Sequence, residues 1–389
     1  MTASLLSAAA ASARSSAIRD LLEHAGRPGM ISLAGGLPDP TLFPAEGLAR
    51  IASEVIREDR GSVLQYGETA GHPECAQLLA TLFDDPVERV VVTTGSQQGL
   101  DLLIRTLVDP GDVVMTSDPE YVGLTQLLRG AGARHCAVAV DDDGIDTEHI
   151  ANLLADGVRP KACYVSPHFH NPSGSRLSAD RRSQLHQLSA HYGFVVIEDD
   201  PYRELHYDGE RPTEASADPS FTVRLRSTSK TLTPGLRVGV MAGPDWLLDA
   251  VVRAKQFVDL HTSTLSQAVV ARAIHARWYP EHVAHLRTIY ATKRDTLIAG
   301  LDNVFGDRMA LRAPGGGMFV WADFGDEVDT TAWLHHALVD GVCFVPGSAF
   351  LADDSRSGAV RLSFCTATTR QLGDAIDRLA SSLARARAL

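Results

Sequence analysis

The sequence has few cysteines, and none of them belongs to a C-x-x-C pair or to a zinc-finger pattern of cysteines and histidines. A disulfide-stapled scaffold and a zinc finger are therefore excluded as interpretations. The odd, scattered set instead predicts reduced, mostly buried thiols in a cytoplasmic protein. Its members are Cys75, Cys136, Cys163, Cys343 and Cys365.

Basic residues and long apolar runs are also scarce. The 389 residues include 36 lysines and arginines against 48 aspartates and glutamates, which gives a formal net charge of −12. Such a surface repels phosphate backbones and anionic lipids, and no apolar run approaches the roughly 20 residues that cross a bilayer. The apolar segment 5–13 lacks a preceding basic residue, so we do not interpret it as a signal peptide. Neither nucleic acid nor a membrane is an expected partner.

Short β-rich runs alternate with helical stretches from about residue 90 onward. The runs at 90–92, 163–165 and 194–197 are apolar on consecutive positions, as strands covered on both faces require. This alternation predicts an α/β fold with a mainly parallel sheet and crossover helices. After about residue 246, long helical stretches precede further strand-like segments and a closing helix. We interpret this part as a smaller α+β domain.

The most informative stretch, residues 227–237, reads Ser-Thr-Ser-Lys-Thr-Leu-Thr-Pro-Gly-Leu-Arg and follows a β-like run. Ligands of parallel sheets bind beyond the carboxyl ends of the strands, so its polar residues are site candidates. Lys230 could form an imine with an aldehyde cofactor if a protected pocket lets its amine lose the proton. Arg237, Ser227 and Ser229 would then suit a phosphate dianion. Taken alone, a lysine is more often a solvated surface charge.

Three acids, Glu198, Asp199 and Asp200, end another apolar strand and precede Pro201. An aspartate here could pair with a protonated pyridine nitrogen and keep a cofactor ring cationic. The same residues could equally form a metal site or a helix N-cap before Pro201.

A third motif, Thr-Thr-Gly-Ser-Gln-Gln-Gly at residues 93–99, joins a strand to a predicted helix. Backbone N–H groups and the helix dipole at such a junction bind phosphate, which makes Ser96 and Gln97 candidates. The motif could also be only an N-cap built on Ser96.

A fourth motif, Ser-Pro-His-Phe-His-Asn-Pro-Ser-Gly at residues 166–174, again follows a predicted buried strand. The amide of Asn171 could hydrogen-bond a ring hydroxyl and a substrate carboxylate together. An isolated Asn-Pro turn would otherwise be a plain loop.

Together and in this order, the four motifs resemble the fold type I pyridoxal-phosphate aminotransferases, especially the 2-aminoadipate and aromatic aminotransferase branch. The resemblance covers nearly the whole chain, and its further segments are 32–38, 65–67, 118–121, 315–319 and 360–364. It implies a mainly parallel mixed sheet of seven strands sandwiched by helices, together with the smaller α+β domain. The implied division is an N-terminal arm at 1–45 that contributes to the small domain and the active site, a large cofactor domain at 46–275 and the small domain at 276–389.

The resemblance also implies a role for each candidate around pyridoxal 5′-phosphate. Lys230 would form the internal aldimine and move a proton between Cα and the cofactor's C4′. Asp199 would pair with the pyridine nitrogen, Tyr121 would stack on the ring, and Asn171 and Tyr202 would bond its O3′. The phosphate would be bound by Ser96, Gln97, Ser227, Ser229 and Arg237.

On the substrate side, Arg361 corresponds to the arginine that binds the α-carboxylate, with Asn171 and Gly36 beside it. Tyr66 corresponds to a residue that reaches the phosphate of the other subunit, which implies a homodimer. The implied reaction moves the amino group of an L-amino acid to a 2-oxo acid by a ping-pong mechanism through pyridoxamine phosphate. No metal is expected.

One departure from the family pattern concerns two histidines, His168 and His170, in the Asn171 loop. A histidine titrates near neutrality, so one lining the site could contact a substrate carboxylate or transfer a proton. Alternatively, both only pack against the turn or cap it. The departure leaves the identity of donor and acceptor open.

Other reactions at Cα use the same cofactor scaffold, because a fold does not fix which bond is broken. Decarboxylation, elimination, racemisation and oxidation therefore stay as alternatives to transamination. A regulatory sensor is a further alternative, since some transcription factors fuse this fold to a DNA-binding domain. The residues before Ser32 carry no basic helix-turn-helix pattern, which makes that alternative weaker.

Overall fold

The structure of the chain is a computed structural model that describes residues 21, 26–86, 89–209, 211–212, 220–353 and 355–387. Most of the predicted N-terminal arm, residues 1–20 and 22–25, lies outside the described residues, as does the apolar segment 5–13. The predicted strand and helix alternation from residue 90 onward is confirmed.

The strands are β1 (Ile31–Ser32), β2 (Val90–Thr93), β3 (Val113–Asp118), β4 (Arg134–Asp141), β5 (Gly144–Ile145), β6 (Pro160–Val165), β7 (Val195–Asp199), β8 (Thr222–Ser227), β9 (Gly239–Ala242), β10 (Ala310–Leu311), β11 (Phe319–Asp323), β12 (Val342–Cys343), β13 (Val345–Pro346) and β14 (Ala359–Ser363). The helices are α1 (Ala45–Glu58), α2 (Arg60–Val63), α3 (Pro73–Phe83), α4 (Ser96–Leu107), α5 (Val122–Ala131), α6 (Thr147–Ala155), α7 (Ala179–Tyr192), α8 (Asp245–Val258), α9 (Thr264–His275), α10 (Trp278–Phe305), α11 (Thr330–Val339) and α12 (Thr369–Arg387).

The large sheet has the strand order β2-β9-β8-β7-β6-β3-β4-β5. Its centre, from β8 through β4, is parallel, whereas β9 runs antiparallel to both of its neighbours and β5 runs antiparallel to β4. The predicted mainly parallel mixed sheet is therefore confirmed. Among the described residues it contains eight strands where seven were expected, because the two-residue strand β5 extends one edge.

Both faces of the large sheet are covered, which explains the consecutive apolar runs. Along β7, Val195 and Ile197 pack into one core with residues of α4, α5 and α8. Val196 packs on the opposite face in a second core with residues of α6 and α7. Successive side chains of a strand point to opposite faces, so a strand between two helical layers needs apolar residues at both.

A second sheet, with the order β10-β11-β14-β13, forms the later part of the chain together with α10, α11 and α12. Its core includes the fully buried side chains of Trp333, Phe344 and Phe364. The short parallel pair β1–β12 attaches the N-terminal residues 31–32 to this part. The large sheet thus lies within the predicted domain 46–275 and the second sheet within 276–389, while the boundaries themselves stay a prediction.

Within the described part of the chain, every helix is too short or too polar to span a bilayer. The long helix α10 is no exception, since it carries charged residues along its length.

Candidate active site

A cavity of about 520 Å³ opens beyond the carboxyl ends of the parallel strands, where ligands of such sheets bind. It is lined by every predicted site residue except Tyr66. Those lining residues are Gly36, Ser96, Gln97, Tyr121, Asn171, Asp199, Tyr202, Ser227, Ser229, Lys230, Arg237 and Arg361.

Lys230 projects its amine into this cavity from the turn that follows β8. The amine donates a hydrogen bond of 3.0 Å to the carbonyl oxygen of Gly36, which lies on the N-terminal segment. Burial lowers the pKa of Lys230 to about 8, since the surrounding protein disfavours the charged form. A lysine with this pKa is partly neutral near pH 8, which is the form that attacks an aldehyde.

Asp199 ends β7 and is buried at the cavity wall. The Tyr164 hydroxyl donates a hydrogen bond of 3.0 Å to Oδ2, whereas Oδ1 has no hydrogen-bond partner among the described residues. Burial raises the pKa of Asp199 to about 7, although the hydrogen bond from Tyr164 opposes the shift. A buried carboxylate oxygen without a partner is costly, so this atom is suited to a cationic N–H donor from a ligand.

The two acids beside Asp199 point to other partners. Glu198 accepts two hydrogen bonds of 2.7 Å from Arg182, on the helix α7. Asp200 accepts one of 2.8 Å from the buried Arg226. Because the three carboxylates diverge, they do not support the metal interpretation, and no cluster suited to a metal occurs among the described residues. Residues 201–204 form a bend and a turn, not a helix. The alternative of a helix N-cap before Pro201 is therefore not supported.

The residues predicted to bind phosphate meet where β2 passes into α4. Gly95 occupies the N-cap position with φ +79°, and Ser96 is the first helical residue, so the alternative of an N-cap built on Ser96 is wrong. Gly239, the β9 partner of Ser227, lies so close that a Cβ would stand 3.0 Å from the backbone nitrogen of Ser96. The motifs at 93–99 and 227–237 therefore meet through a backbone contact that requires glycine.

Three side-chain contacts order this corner of the cavity. Arg237 donates a hydrogen bond of 3.1 Å to the carbonyl of Thr94, and the Ser227 hydroxyl donates one of 2.9 Å to the hydroxyl of Ser229. The Tyr121 hydroxyl donates 2.9 Å to the side chain of Gln97. Hydroxyls, a guanidinium and a helix N-terminus are together the donors that a phosphate dianion needs.

Arg361 lies on β14 of the second sheet and is almost completely buried. Its guanidinium donates a hydrogen bond of 2.7 Å to Oδ1 of Asn171 and one of 2.6 Å to the carbonyl of Ala34. Its Cζ lies 4.2 Å from the ring centroid of Phe319 and 4.9 Å from that of Phe350. Its Nε has no partner among the described residues. Burial lowers the pKa of Arg361 to about 10, so the group stays cationic at neutral pH.

The two histidines of the Asn171 loop are buried outside the cavity lining. His168 donates 2.7 Å to Asp200, and His170 bonds Ser173 at 2.8 Å and Glu120 at 3.3 Å. These contacts match the interpretation that the histidines pack against the turn, and they do not match direct contact with a substrate.

Tyr66 is the one predicted site residue that the fold leaves away from the cavity of its own chain. Its side chain is 77% exposed and contacts the ring of His261 edge-on at 5.8 Å. Such an exposed position is where a residue that serves a second subunit would lie.

Comparisons with known proteins agree with this geometry. Residues 35–379 match the model of the family described as aminotransferase class I and II. The chain belongs to that family. It is 33% identical to the aromatic-amino-acid aminotransferase 1 of Thermococcus litoralis, over 95% of this chain and 92% of that protein. It is 34% identical to the 2-aminoadipate transaminase of Thermus thermophilus, over 95% and 94% of the two chains.

Among solved structures, the fold is similar to that of a Pyrococcus horikoshii kynurenine aminotransferase in complex with PMP, kynurenine and its product. The TM-score is 0.94 at 32% identity, with 99% of this chain and 98% of that chain covered. The predicted fold type and family are thereby confirmed.

Unused donors and acceptors of this aminotransferase cavity fit a phosphorylated pyridine. The unpaired Oδ1 of Asp199 suits a protonated ring nitrogen, and the amine of Lys230 suits an aldehyde carbon. The donors around Ser96 and Arg237 suit the phosphate, and Nε of Arg361 suits a carboxylate.

Tyr164 is a site residue that the sequence did not reveal. It belongs to the run 163–165, which was interpreted only as a buried strand, yet its hydroxyl reaches Asp199 across β6 and β7. The sequence did hold one signal for this role, a tyrosine within a strand predicted to be buried on both faces. A buried hydroxyl needs a hydrogen-bond partner, so Tyr164 had to contact a polar group. Leu37, Gln126 and Phe319 also line the cavity without having been predicted as contacts.

Proposed function

We propose that this chain is a pyridoxal-phosphate-dependent aminotransferase that moves the amino group of an L-amino acid to a 2-oxo acid by a ping-pong mechanism. The observation that carries the proposal is that one cavity is lined by Lys230, by Asp199 with its unpartnered oxygen and by Arg361 with its unpartnered Nε. Their chemistries are those of an amine nucleophile, an anion for a ring nitrogen and a carboxylate receptor.

When bound, the cofactor supplies an electrophilic aldehyde and an aromatic ring that accepts electrons from the substrate Cα. Lys230 contributes the amine that holds this aldehyde and afterwards carries a proton between Cα of the substrate and C4′ of the cofactor. Its lowered pKa suits both tasks, because the same group must release and regain a proton near neutral pH.

The remaining cofactor contacts hold the ring and its phosphate. Asp199 keeps the ring nitrogen protonated through its free Oδ1, while Tyr164 orients the carboxylate from the other side. Asn171 and Tyr202 bind the ring oxygen, and Tyr121 packs against the ring face. The phosphate is held by Ser96, Gln97, Ser227, Ser229 and Arg237.

Arg361 binds the α-carboxylate of donor and acceptor in turn. The side-chain oxygen of Asn171 accepts a hydrogen bond from the guanidinium of Arg361 and fixes its orientation. The carbonyl of Gly36 accepts the hydrogen bond of the Lys230 amine, and a Cβ at this position would stand only 2.9 Å from the ring of Phe319, so the close approach requires glycine. One carboxylate site for both half-reactions is what a ping-pong exchange of two 2-substituted acids requires.

We further infer that the enzyme is a cytoplasmic homodimer. The segments 63–66 and 257–264 contact each other and carry exposed large apolar side chains, which are Leu64, Tyr66, Phe257, Val258 and Leu260. Such a patch is typical of a subunit interface. All five cysteines are free thiols, which suits a reducing compartment.

A single-turnover experiment separates transamination from the alternatives. With an L-amino acid and no acceptor, the holoenzyme should stop after releasing one 2-oxo acid per active site, leaving pyridoxamine phosphate, and a 2-oxo acid should then restore the starting spectrum. Release of carbon dioxide would identify a decarboxylase, and oxygen consumption an oxidase. Binding of amino acids without any turnover would favour a sensor.

Borohydride reduction tests the cofactor assignment independently of turnover. Reduction should fix the cofactor irreversibly on Lys230, which peptide mapping detects. Recovery of the reduced adduct on another lysine would contradict the proposal.

A further inference from the structure

An ion pair between a buried lysine and a partly exposed aspartate lies behind the loop that leads into α4. Lys255, on α8, has no exposed surface, and its ammonium donates 2.8 Å to both carboxylate oxygens of Asp259. It also donates 3.1 Å to Oε1 of Gln98 and 3.2 Å to the hydroxyl of Thr262. None of these four residues lines the cavity described above.

The partners of Lys255 hold one residue of the phosphate-side loop, Thr94. Its backbone N–H donates 2.7 Å to Oε1 of Gln98, the same oxygen that Lys255 contacts. Its hydroxyl donates 3.0 Å to Oδ2 of Asp259. Thr94 is therefore attached to the ion pair through both its main chain and its side chain.

Thr94 also connects to the cavity side. Its carbonyl accepts the hydrogen bond from Arg237, and the next residue, Gly95, turns with φ +79° into the first turn of α4. The direction of the first N–H groups of α4 and the position of the Arg237 guanidinium thus both depend on where Thr94 is held.

The cost of this arrangement argues that it has a purpose beyond packing. Burial lowers the pKa of Lys255, and the hydrogen bond to Asp259 opposes that shift. The pair contributes little net stability, because desolvation of the buried ammonium offsets its attraction to Asp259. What the pair supplies is a fixed geometry, since the ammonium of Lys255 is held by several hydrogen bonds at once.

We propose that Lys255 and Asp259 are positioning residues for the cofactor phosphate. They hold the Thr94–Gly95 turn from behind, so that the N-terminus of α4 and Arg237 converge on the phosphate ester. This inference rests on the proposed cofactor function, and it assigns the ion pair to phosphate affinity, separate from the ring chemistry of Lys230 and Asp199.

The test compares the affinities of the protein for pyridoxal phosphate and for pyridoxal, which lacks the phosphate. Cofactor-free protein prepared from the holoenzyme is titrated with each aldehyde, with absorbance as the readout. In Lys255→Met, the preference for the phosphorylated aldehyde should fall by about tenfold, the equivalent of about one charge-assisted hydrogen bond, while the affinity for pyridoxal stays unchanged. Reaction rates at saturating cofactor should also stay near those of the parent.

Two variants guard against a mere loss of folding. Lys255→Met/Asp259→Asn removes the pair without leaving an unpaired buried charge, and it should show the same reduced phosphate preference. Lys293→Met breaks a second lysine–aspartate pair, to Asp39 at 2.7 Å, which does not touch Thr94. It should lower stability but retain the parent's preference.

Retention of the full preference in both Lys255 variants would overturn the inference, as would an equal loss of affinity for the two aldehydes. Failure of the proposed function has a different signature, because the parent itself would then not attach pyridoxal phosphate at Lys230.

Discussion

Tyr164 donates a hydrogen bond of 3.0 Å to one carboxylate oxygen of Asp199 and leaves the other, Oδ1, without a partner among the described residues. The two residues come from neighbouring parallel strands, β6 and β7, so the rigid centre of the sheet fixes the carboxylate. Asp199 lines the cavity, so its unpartnered oxygen is the one left for a donor from a ligand. The pair thus links the fold to the electronic requirement of the cofactor ring.

Replacing Asp199 should separate ring chemistry from phosphate anchoring. In Asp199→Ala the cofactor should stay bound through its phosphate contacts, whereas proton transfer at Cα should slow by two orders of magnitude or more, in the range of about 10²–10⁴ for loss of such a group. Rapid-mixing spectroscopy measures the transfer and equilibrium dialysis measures cofactor retention. Turnover at the parent rate would contradict the role at the ring nitrogen.

Tyr164→Phe is the control for the comparison of proton transfer and cofactor retention in Asp199→Ala. This variant removes the orienting hydroxyl but keeps the carboxylate and the packing of the ring. It should retain most of the cofactor affinity and slow proton transfer less than Asp199→Ala does, because the charge that acts on the ring is still present.

The lowered pKa of Lys230 gives a pH dependence whose sign can be worked out. An exposed lysine has a pKa of 10.5, whereas burial lowers that of Lys230 to about 8 in the folded chain. Between these values the unfolded chain binds more protons than the folded one, so this group makes the free energy of unfolding rise with pH. In the cofactor-free protein, the stability of the parent relative to Lys230→Met should therefore increase from pH 8 to about pH 10.

Denaturant unfolding of both proteins at several pH values measures this difference. Other titrating groups are common to the two chains and cancel in the comparison. A difference that does not change with pH would mean that Lys230 titrates at its ordinary pKa when folded.

The fold and the cavity differ in how far the sequence predicts them. Consecutive apolar runs identify strands such as β7, because burial on both faces leaves a local pattern, whereas the two residues of β5 leave none. Lys230 and Arg361 are recognisable from motifs. The contact between Lys255 and Gln98 has no such signal, since it joins residues far apart in sequence whose approach depends on packing of α8 against α4.

The three acids at 198–200 illustrate the same limit within one motif. Alternation along the strand separates the side of Glu198 from that of Asp199, but it does not say which side faces the cavity. Glu198 and Asp200 turn away from the cavity because they bind Arg182 and Arg226, and both arginines come from other elements.

Arg361→Lys should chiefly weaken substrate binding. A lysine can supply one donor to the α-carboxylate but cannot also bond Asn171 and Ala34 in the plane of a guanidinium. We expect the KM of donor and acceptor to rise together by about 10- to 100-fold, the equivalent of one lost charge-assisted hydrogen bond. Steady-state kinetics with both substrates varied measures it.

The matched control is Arg294→Lys, since Arg294 is also a buried arginine but binds Asp208 outside the cavity lining. It should lower stability without raising either KM. A rise in KM for the donor alone in Arg361→Lys would mean that donor and acceptor do not share one carboxylate site.

Tyr66 allows a test of whether the active site is completed by a second subunit. Its side chain is 77% exposed on its own chain and contacts the ring of His261. If it binds the phosphate of the other subunit, Tyr66→Phe should weaken cofactor binding by about tenfold, as loss of one hydrogen bond to a charged group does. Hybrid dimers of Tyr66→Phe with Lys230→Ala then decide which chain supplies the hydroxyl.

In such a hybrid, the only site able to attach the cofactor lies in the Tyr66→Phe subunit, and its neighbour carries an intact Tyr66. If Tyr66 binds the phosphate of the other subunit, this site should regain the parent's affinity for the cofactor. The affinity is measured as the amount of cofactor that borohydride fixes when the cofactor concentration is limiting. Each homodimer is its own control, because Tyr66→Phe binds weakly at both sites and Lys230→Ala fixes none. A hybrid that stays as weak as Tyr66→Phe would show that the tyrosine acts within its own chain or does not contact the phosphate, because the neighbour's hydroxyl is present in either case.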